Sequence, residues 1–410
     1  MDFTNLRQHY DELLSHLKNT GYTESYIRRM RGNIRWILKN EEGNSWDSYV
    51  DIYYDRVSRS ESYDYKRNQR VSFGAIQRFD VSGEYPDRIT KPCLIKKGAY
   101  HQLIPEFKRL IDSYTETDKL RDLKGHTITG NASRAANFLL AMQTKGRHNL
   151  SEITEDDVMS FFLDDKGKLS KCSSYKKQIA AVFKTEIGRD EEARRRILAY
   201  LPTIRPKRKN IQYLTPDETD ELHKLLDGDN HVLSLRNRAI TALLYFTGIR
   251  ACDIAGMQLS AIDWGKDEIR LPQQKTGAPL ILPLTAAIGN AIYDYITKER
   301  PDSADTHLFL SELYPHPPIT ASSLWTISAK IYMSAKLRQS ENDRRGTHLF
   351  RFNVATSFLG NGIPRPVISQ TLGHTDPLSL DAYLHADIVH LKECALSIEA
   401  FPVSEEVFRI

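Results

Sequence analysis

The sequence predicts a mostly α-helical protein that closes with a mixed α+β domain holding a small antiparallel sheet. Amphipathic helical periods follow one another through the first half of the chain, in segments such as "HYDELLSHLKN", "TESYIRRMRGNIRWILKN" and "TGNASRAANFLLAMQ". In the second half, "DEIRLPQ" and "APLILPL" read as two strands joined by the turn signature "QKTG", with helical patterns before and after them. A chain of 410 residues exceeds one ordinary core. The expected divisions are a helical module over 1–98, a second over 99–201, a basic linker at 202–212 and a C-terminal domain over 213–410.

Taken in order, the first module offers "HYDELLSHLKN", "TESYIRRMRGNIRWILKN", "SWDSYVDIYYDRV" and "SYDYKRNQRVSFGAIQRF". The second offers "FKRLIDSY", "TGNASRAANFLLAMQ", the acidic start "SEITEDDVMSFF" and the basic helix "SSYKKQIAAVFKTEI". The two read as loose versions of one unit. Their last helices align best, with Tyr65, Lys66, Arg67 and Phe73 set against Tyr175, Lys176, Lys177 and Phe183. Helices of similar amphipathic period resemble each other without common descent, so duplication and coincidence both stay open.

The linker contains "RPKRKN", whose prolines oppose helix and whose charges suit either a phosphate backbone or plain solvent. "LTPDET" then signals a helix start, with Thr215 as N-cap, Pro216 at the first helical position and Glu218 placed to close a capping box. "NRAITALLYFTGIR" is a helix with the apolar stripe Ile240, Leu243 and Leu244. Gly248 stops it, so Arg250 stands just past its end and opens "ACDIAGMQL", with Asp253 one turn on. The strand pair follows, with Lys275 at its tip. "THLFRFNVATSFLGNGI" is a helix carrying His348 and Arg351 one turn apart. "PRPVISQTLGHTDPLSLDAYLHAD" gives a short helix ending near Gly373, His374 in the turn, and a further helix bearing Tyr383.

Composition excludes more than it identifies. Hydrophobic content of 40% with 27% charged residues is that of a globular chain, and no run approaches the roughly 18 apolar residues of a membrane span. The first thirty residues hold no apolar signal core, so a cytoplasmic location and no membrane partner are expected. Cys93, Cys172, Cys252 and Cys394 are scattered, and the 13 histidines make no H-x-x-x-H pair. No disulfide framework, no metal site and no cofactor are therefore expected. The net charge of +4 is too mild to identify a polyanionic partner, so the local basic clusters carry that argument.

Arg250, Lys275, His348, Arg351, His374 and Tyr383 suit one chemistry in combination, attack by a tyrosine hydroxyl on a phosphodiester. A phosphorane-like transition state gathers negative charge on its non-bridging oxygens, which two arginines hold bidentately while staying protonated. The tyrosine is a covalent nucleophile with a reference pKa of about 10, so it needs a base or cationic surroundings. A lysine and two histidines can move the protons.

Residues from Leu214 onward resemble the catalytic domain of the tyrosine recombinase, or phage integrase, family, over roughly half the chain. The resemblance rests on "TGIR" with an acid three places on, the hairpin lysine, H-x-x-R, and L-G-H with a tyrosine nine residues beyond the histidine. It implies site-specific cutting and rejoining of double-stranded DNA through a 3′-phosphotyrosine, by a homo-tetramer on two target sites. Tyr383 would be the nucleophile, Arg250 and Arg351 the phosphate clamp, Lys275 the general acid, and His348 and His374 the supporting histidines. Asp253, where the family more often has Glu, would orient Arg250. Phe352 stands where many members carry histidine.

The second module resembles the family's core-binding domain, with Arg134, Lys176, Lys177 and Lys184 as candidate DNA contacts, joined by Arg205, Lys207, Arg208 and Lys209 of the linker. The first module, with Arg28, Arg29, Arg31 and Arg35 beside the apolar Trp36 and Ile37, would bind arm-type or extended DNA or else mediate subunit contacts. The tail with Phe401, Val407 and Phe408 would dock on a neighbour or on its own chain. Integration and excision of a mobile element, with an accessory directionality factor and a nucleoid location, is the expected role. A host chromosome-dimer resolvase, a type IB topoisomerase and a catalytically silent DNA-binding protein are the alternatives.

Overall fold

Short polar side chains start the helices of the N-terminal half. Ser48 accepts from Asp51 N–H, Ser62 from Tyr65 N–H, and Thr154 forms a reciprocal capping box with Asp157. Each satisfies backbone donors that a helix start leaves unpaired. The computed structural model describes residues 1–90, 94–95, 98–120, 123–185, 190–205, 212–227, 232–338, 340, 343–374 and 380. Within them the helices of this half are α1 (Thr4–Asn19), α2 (Glu24–Asn40), α3 (Tyr49–Val57), α4 (Tyr63–Ser82), α5 (Ala99–Gln102), α6 (Pro105–Leu120), α7 (Gly125–Thr144), α8 (Glu155–Phe162), α9 (Ser173–Lys184) and α10 (Glu191–Tyr200).

The C-terminal half continues with α11 (Pro216–Leu226), α12 (Leu235–Thr247), α13 (Ala251–Ala255), β1 (Ile262–Asp263), β2 (Glu268–Pro272), β3 (Pro279–Pro283), α14 (Ala286–Lys298), α15 (Ala321–Ser334), α16 (His348–Gly360) and α17 (Arg365–Leu372). The mostly helical chain with one small antiparallel sheet is the predicted fold class. The capping box at Thr215 and Glu218 forms as expected, with Pro216 in the first turn. Sequence reading passed over α5, α10, α14, α15 and the two-residue strand β1. No helix among the described residues is long and apolar enough to cross a membrane.

By contact the chain falls into two compact units, one of 1–10, 29–84 and 92–209, the other of 11–28, 85–91 and 210–410. In the first, the apolar faces of α6 to α10 close a core around Phe107, Tyr114, Phe138, Phe162 and Phe183, all fully buried. Each such aromatic contributes about 1.5–3 kcal/mol by leaving water. In the second, the sheet runs β1-β2-β3, with Ile269 opposite Leu282 and Leu271 opposite Leu280. Those four face the core, whereas Ile281 is 57% exposed, as the two-residue period of a one-sided sheet requires. The core continues through Leu243 and Leu244 of α12, Ile254 of α13, Tyr332 of α15 and Phe350 of α16. A smaller cluster joins Val354, Ala355 and Leu359 of α16 to Ile368 and Leu372 of α17. That cluster fixes the end of α17, on which the candidate site depends.

Candidate active site

α12 ends at Gly248 in the left-handed conformation, φ 62°. A Cβ there would lie 3.2 Å from side-chain atoms of Leu372 and Val354 and 3.3 Å from the Arg351 Cα, so glycine serves both the turn and the close approach of α16. The turn delivers Arg250 to the N-cap of α13. Arg351 enters from the first turn of α16 and is only 3% exposed. Its Nη1 donates to the Gly248 carbonyl at 3.1 Å and its Nη2 to the Leu372 carbonyl at 2.6 Å. Arg250 Nη2 donates to the next carbonyl, that of Gly373, at 3.1 Å. The two guanidinium groups are thus held by consecutive carbonyls at the end of α17. Arg250 Nη1 is buried and has no hydrogen-bond partner among the described residues.

Gly373 caps α17 with φ 63°, and His374 N–H closes the turn on the Ser369 carbonyl at 2.8 Å. His374 is therefore adjacent in the chain to the carbonyl that holds Arg250, and half-buried.

The hairpin between β2 and β3 is fastened to the same place. Lys275 is exposed at its turn, as predicted. Gln273 is 1% exposed, and its side-chain oxygen accepts from Thr276 Oγ1 at 2.7 Å. Its backbone carbonyl accepts from Gly277 N–H at 2.7 Å, which closes the turn. The Gln273 carboxamide occupies the space that a Cβ at position 373 would need. On the other side, Gln274 N–H donates to Asp253 Oδ1 at 2.7 Å. Asp253, 1% exposed, thus ties the hairpin to α13, and no hydrogen bond joins its side chain to Arg250. The expected contact by which Asp253 would orient Arg250 is therefore not a side-chain hydrogen bond between them. The Cys252 thiol lies 3.7 Å from Asp253 Oδ1, and burial, then the Asp253 charge, push it up from its ordinary value. It therefore stays protonated beside the arginines and is a poor nucleophile.

His348 is the first residue of α16 and exposed, although it shares a helix face with buried Arg351. Its ring lies 6.2 Å from that of Phe352, and the Arg344 guanidinium carbon is 6.0 Å from the same ring. Phe352 therefore supplies an aromatic surface where a further polar group was looked for. Tyr383 lies outside the described residues, as do Lys207, Arg208, Lys209 and the tail with Phe401, Val407 and Phe408.

The candidate DNA contacts of the second module are gathered on α7 and α9. Arg134 is exposed with its guanidinium carbon 4.9 Å above the Tyr175 ring. Tyr175 in turn neighbours Phe161, and Lys171 Nζ lies 5.0 Å from the Phe161 ring centre. Lys177, Lys184 and Arg205 are exposed and Lys176 half-buried. Lys171 went unremarked in the sequence, where only its place just ahead of "SSYKKQ" could have marked it.

The contact between Gln273 and Gly373 has a measurable consequence. Gly373→Ala combines a left-handed alanine with overlap against a buried carboxamide, so a loss of about 2–4 kcal/mol is expected in urea unfolding. Gln273→Ala in the same chain should recover at least about 1 kcal/mol of it, a coupling that a double-mutant cycle isolates. Strictly additive effects would show that the two residues do not share that space.

Comparison with known proteins agrees with this geometry. The model of the phage integrase family matches residues 212–390. The integrase/recombinase protein y4gC of Sinorhizobium fredii is 31% identical over 176 residues, which span 43% of this chain and 90% of that protein. Tyrosine recombinase XerC of Listeria innocua is 25% identical over 290 residues, 70% of this chain and 94% of its own. Among solved structures, the XerH site-specific recombinase bound to a palindromic difH substrate, a post-cleavage complex, shares the fold. Its TM-score is 0.52 at 16% identity, over 72% of this chain and 91% of that one.

Proposed function

Because the chain belongs to the phage integrase family of tyrosine recombinases, we propose that it cuts and rejoins double-stranded DNA at specific sites to integrate and excise a mobile element. The Tyr383 oxygen attacks the scissile phosphorus, the bond to the 5′ oxygen breaks, and a 3′-phosphotyrosine forms. Lys275 protonates the departing oxygen. Arg250 and Arg351 neutralise charge on the non-bridging oxygens, His374 hydrogen-bonds the phosphate, and His348 assists as acid or base. The partner strand's 5′-hydroxyl reverses the step. One phosphate ester is exchanged for another of similar energy, so the chemistry balances without ATP.

One observation supports the reading most strongly. Two arginines from distant helices are held on consecutive carbonyls, and one guanidinium nitrogen stays buried without an acceptor among the described residues. A buried, unpaired charged donor is costly unless substrate completes it, and a phosphate oxygen is the matching acceptor. In the same reading, residues 99–201 form the core-binding module with Arg134, Lys176, Lys177 and Lys184 on its DNA face. Residues 202–212 link it to the catalytic domain over 213–410, and four protomers act on two sites. The XerC similarity over 70% of the chain favours a second reading, resolution of host chromosome dimers.

The test is trapping on nicked duplexes made from the DNA that flanks the gene. A denaturant-resistant adduct whose peptide maps to Tyr383 is expected. An adduct mapped to another residue, or none on any duplex that the protein binds, rejects the mechanism. Substrates that are terminal repeats of an element support the first role, and a single chromosomal site supports the second.

A further inference from the structure

The helix α2 carries Arg28, Arg31, Arg35 and Lys39 at spacings of three and four, which places them in one stripe, and all four are exposed. The opposite face holds Ile27, Met30, Asn33, Ile34 and Ile37, each at most 4% exposed. No hydrogen bond or ion pair to the four cations occurs among the described residues. The only acid in the helix is Glu24, in its first turn. Arg29 differs from the four, because its Nε donates inward to Ser72 Oγ at 2.8 Å. Like charges at this spacing repel by about 0.2–0.5 kcal/mol per pair, so the stripe disfavours its own helix until an anion covers it. The eleven rises of about 1.5 Å from Arg28 to Lys39 extend it over about 16 Å.

A second observation says which anion. The helix α4 follows α9 in burial at seven of the nine positions from Tyr65 and Tyr175 onward, and in residue type at the tyrosine, the two basic residues and the phenylalanine. Tyr65 and Tyr175 are half-buried, Lys66 and Lys176 half-buried, Arg67 and Lys177 exposed. Gln69 and Ile179, Ser72 and Val182, and Phe73 and Phe183 are buried. The preceding helices also run in the same order with similar lengths, 16, 17 and 9 residues against 16, 20 and 8. Each second helix carries a Gly-Asn pair whose asparagine makes a buried hydrogen bond, Asn33 to Gln69 at 2.6 Å and Asn131 to the Tyr114 hydroxyl at 2.7 Å. Burial that matches at seven of these nine positions, together with the recurring Gly-Asn pair, is more than a shared amphipathic period requires.

We propose that residues 1–84 are a second copy of the helical module at 99–201, and that the stripe on α2 grips the phosphate backbone of a stretch of duplex DNA beyond the one held by residues 99–201. This rests on the DNA-recombinase reading above. The copy keeps the basic pair on its last helix and adds the α2 cations, a row of point charges suited to phosphates rather than to bases.

The test uses the full chain with Arg28, Arg31, Arg35 and Lys39 all replaced by glutamine, a change confined to exposed positions. On a long duplex, the slope of log affinity against log salt should fall by roughly 3–4, about 0.9 per lost phosphate contact. The footprint should shorten at one flank, while adduct formation on a short duplex spanning only the cleavage site stays at the wild-type level. An unchanged slope overturns the proposal, yet leaves the recombinase reading intact as long as the wild type forms its adduct. Loss of the short-duplex adduct also overturns it, because the stripe would then serve the core grip. Weakened self-association with an unchanged slope overturns it in favour of a second copy as occupant.

Discussion

Replacing Tyr383 with phenylalanine is expected to abolish covalent capture of DNA while affinity for the duplex changes by no more than a few-fold. The substitution removes one oxygen and keeps the ring, so packing of the side chain is conserved. The described site offers no second nucleophile in the Cys252 thiol, which burial and the Asp253 charge hold protonated. A loss of at least roughly 10⁴-fold, about 5.5 kcal/mol of barrier, is the scale for removing a covalent nucleophile. Gel shift measures binding and denaturing electrophoresis of a nicked duplex measures capture. A denaturant-resistant adduct formed by the phenylalanine variant at near wild-type yield would refute the assignment.

The second large effect separates the two arginines. Arg250→Ala should slow capture by about 10²–10³-fold, the loss typical of one preorganised donor to a developing oxyanion, with thermal unfolding little changed. Among the described residues its side chain bonds one carbonyl, at 3.1 Å, and its Nη1 has no partner. Arg351→Ala should be equally slow and also unstable. It strips the donor from two carbonyls, those of Gly248 and Leu372, deep under α16, at about 1–3 kcal/mol each. Kinetics and unfolding on both variants decide the matter. An Arg351→Ala protein that unfolds like the wild type would mean that those carbonyls find other partners.

Much of this site was legible in sequence, for physical reasons. Gly248 ends its helix where a glycine stop belongs, and the Thr215 capping box forms as its residues dictate, because caps and turns are decided within a few residues. Alternation in β2 and β3 likewise exposed both the hairpin and its tip. The partners of the carboxylate at 253 were not legible. Which of two neighbours a buried acid serves depends on where a distant hairpin lands, and Gln274 reaches it first. Gln273 was missed altogether, since an amide in a turn is normally a solvated residue and nothing local says that Gly373 leaves room for it. His348 and Arg351 share a helix face in sequence yet differ in exposure, because His348 is the first residue of α16 while Arg351 reaches inward to the carbonyls of Gly248 and Leu372.

The carbonyls of Leu372 and Gly373 belong to neighbouring residues, whose Cα atoms are separated by only about 3.8 Å. A displacement at the end of α17 moves an anchor of each arginine together, and only the Gly248 carbonyl, on Arg351, lies elsewhere. The clamp behaves as a single switch with one failure mode. On the recombinase reading, a chain whose α17 has not seated lacks both charges at once, and so stays silent instead of nicking. For an enzyme whose half-finished product is a broken chromosome, joint failure is the safe kind.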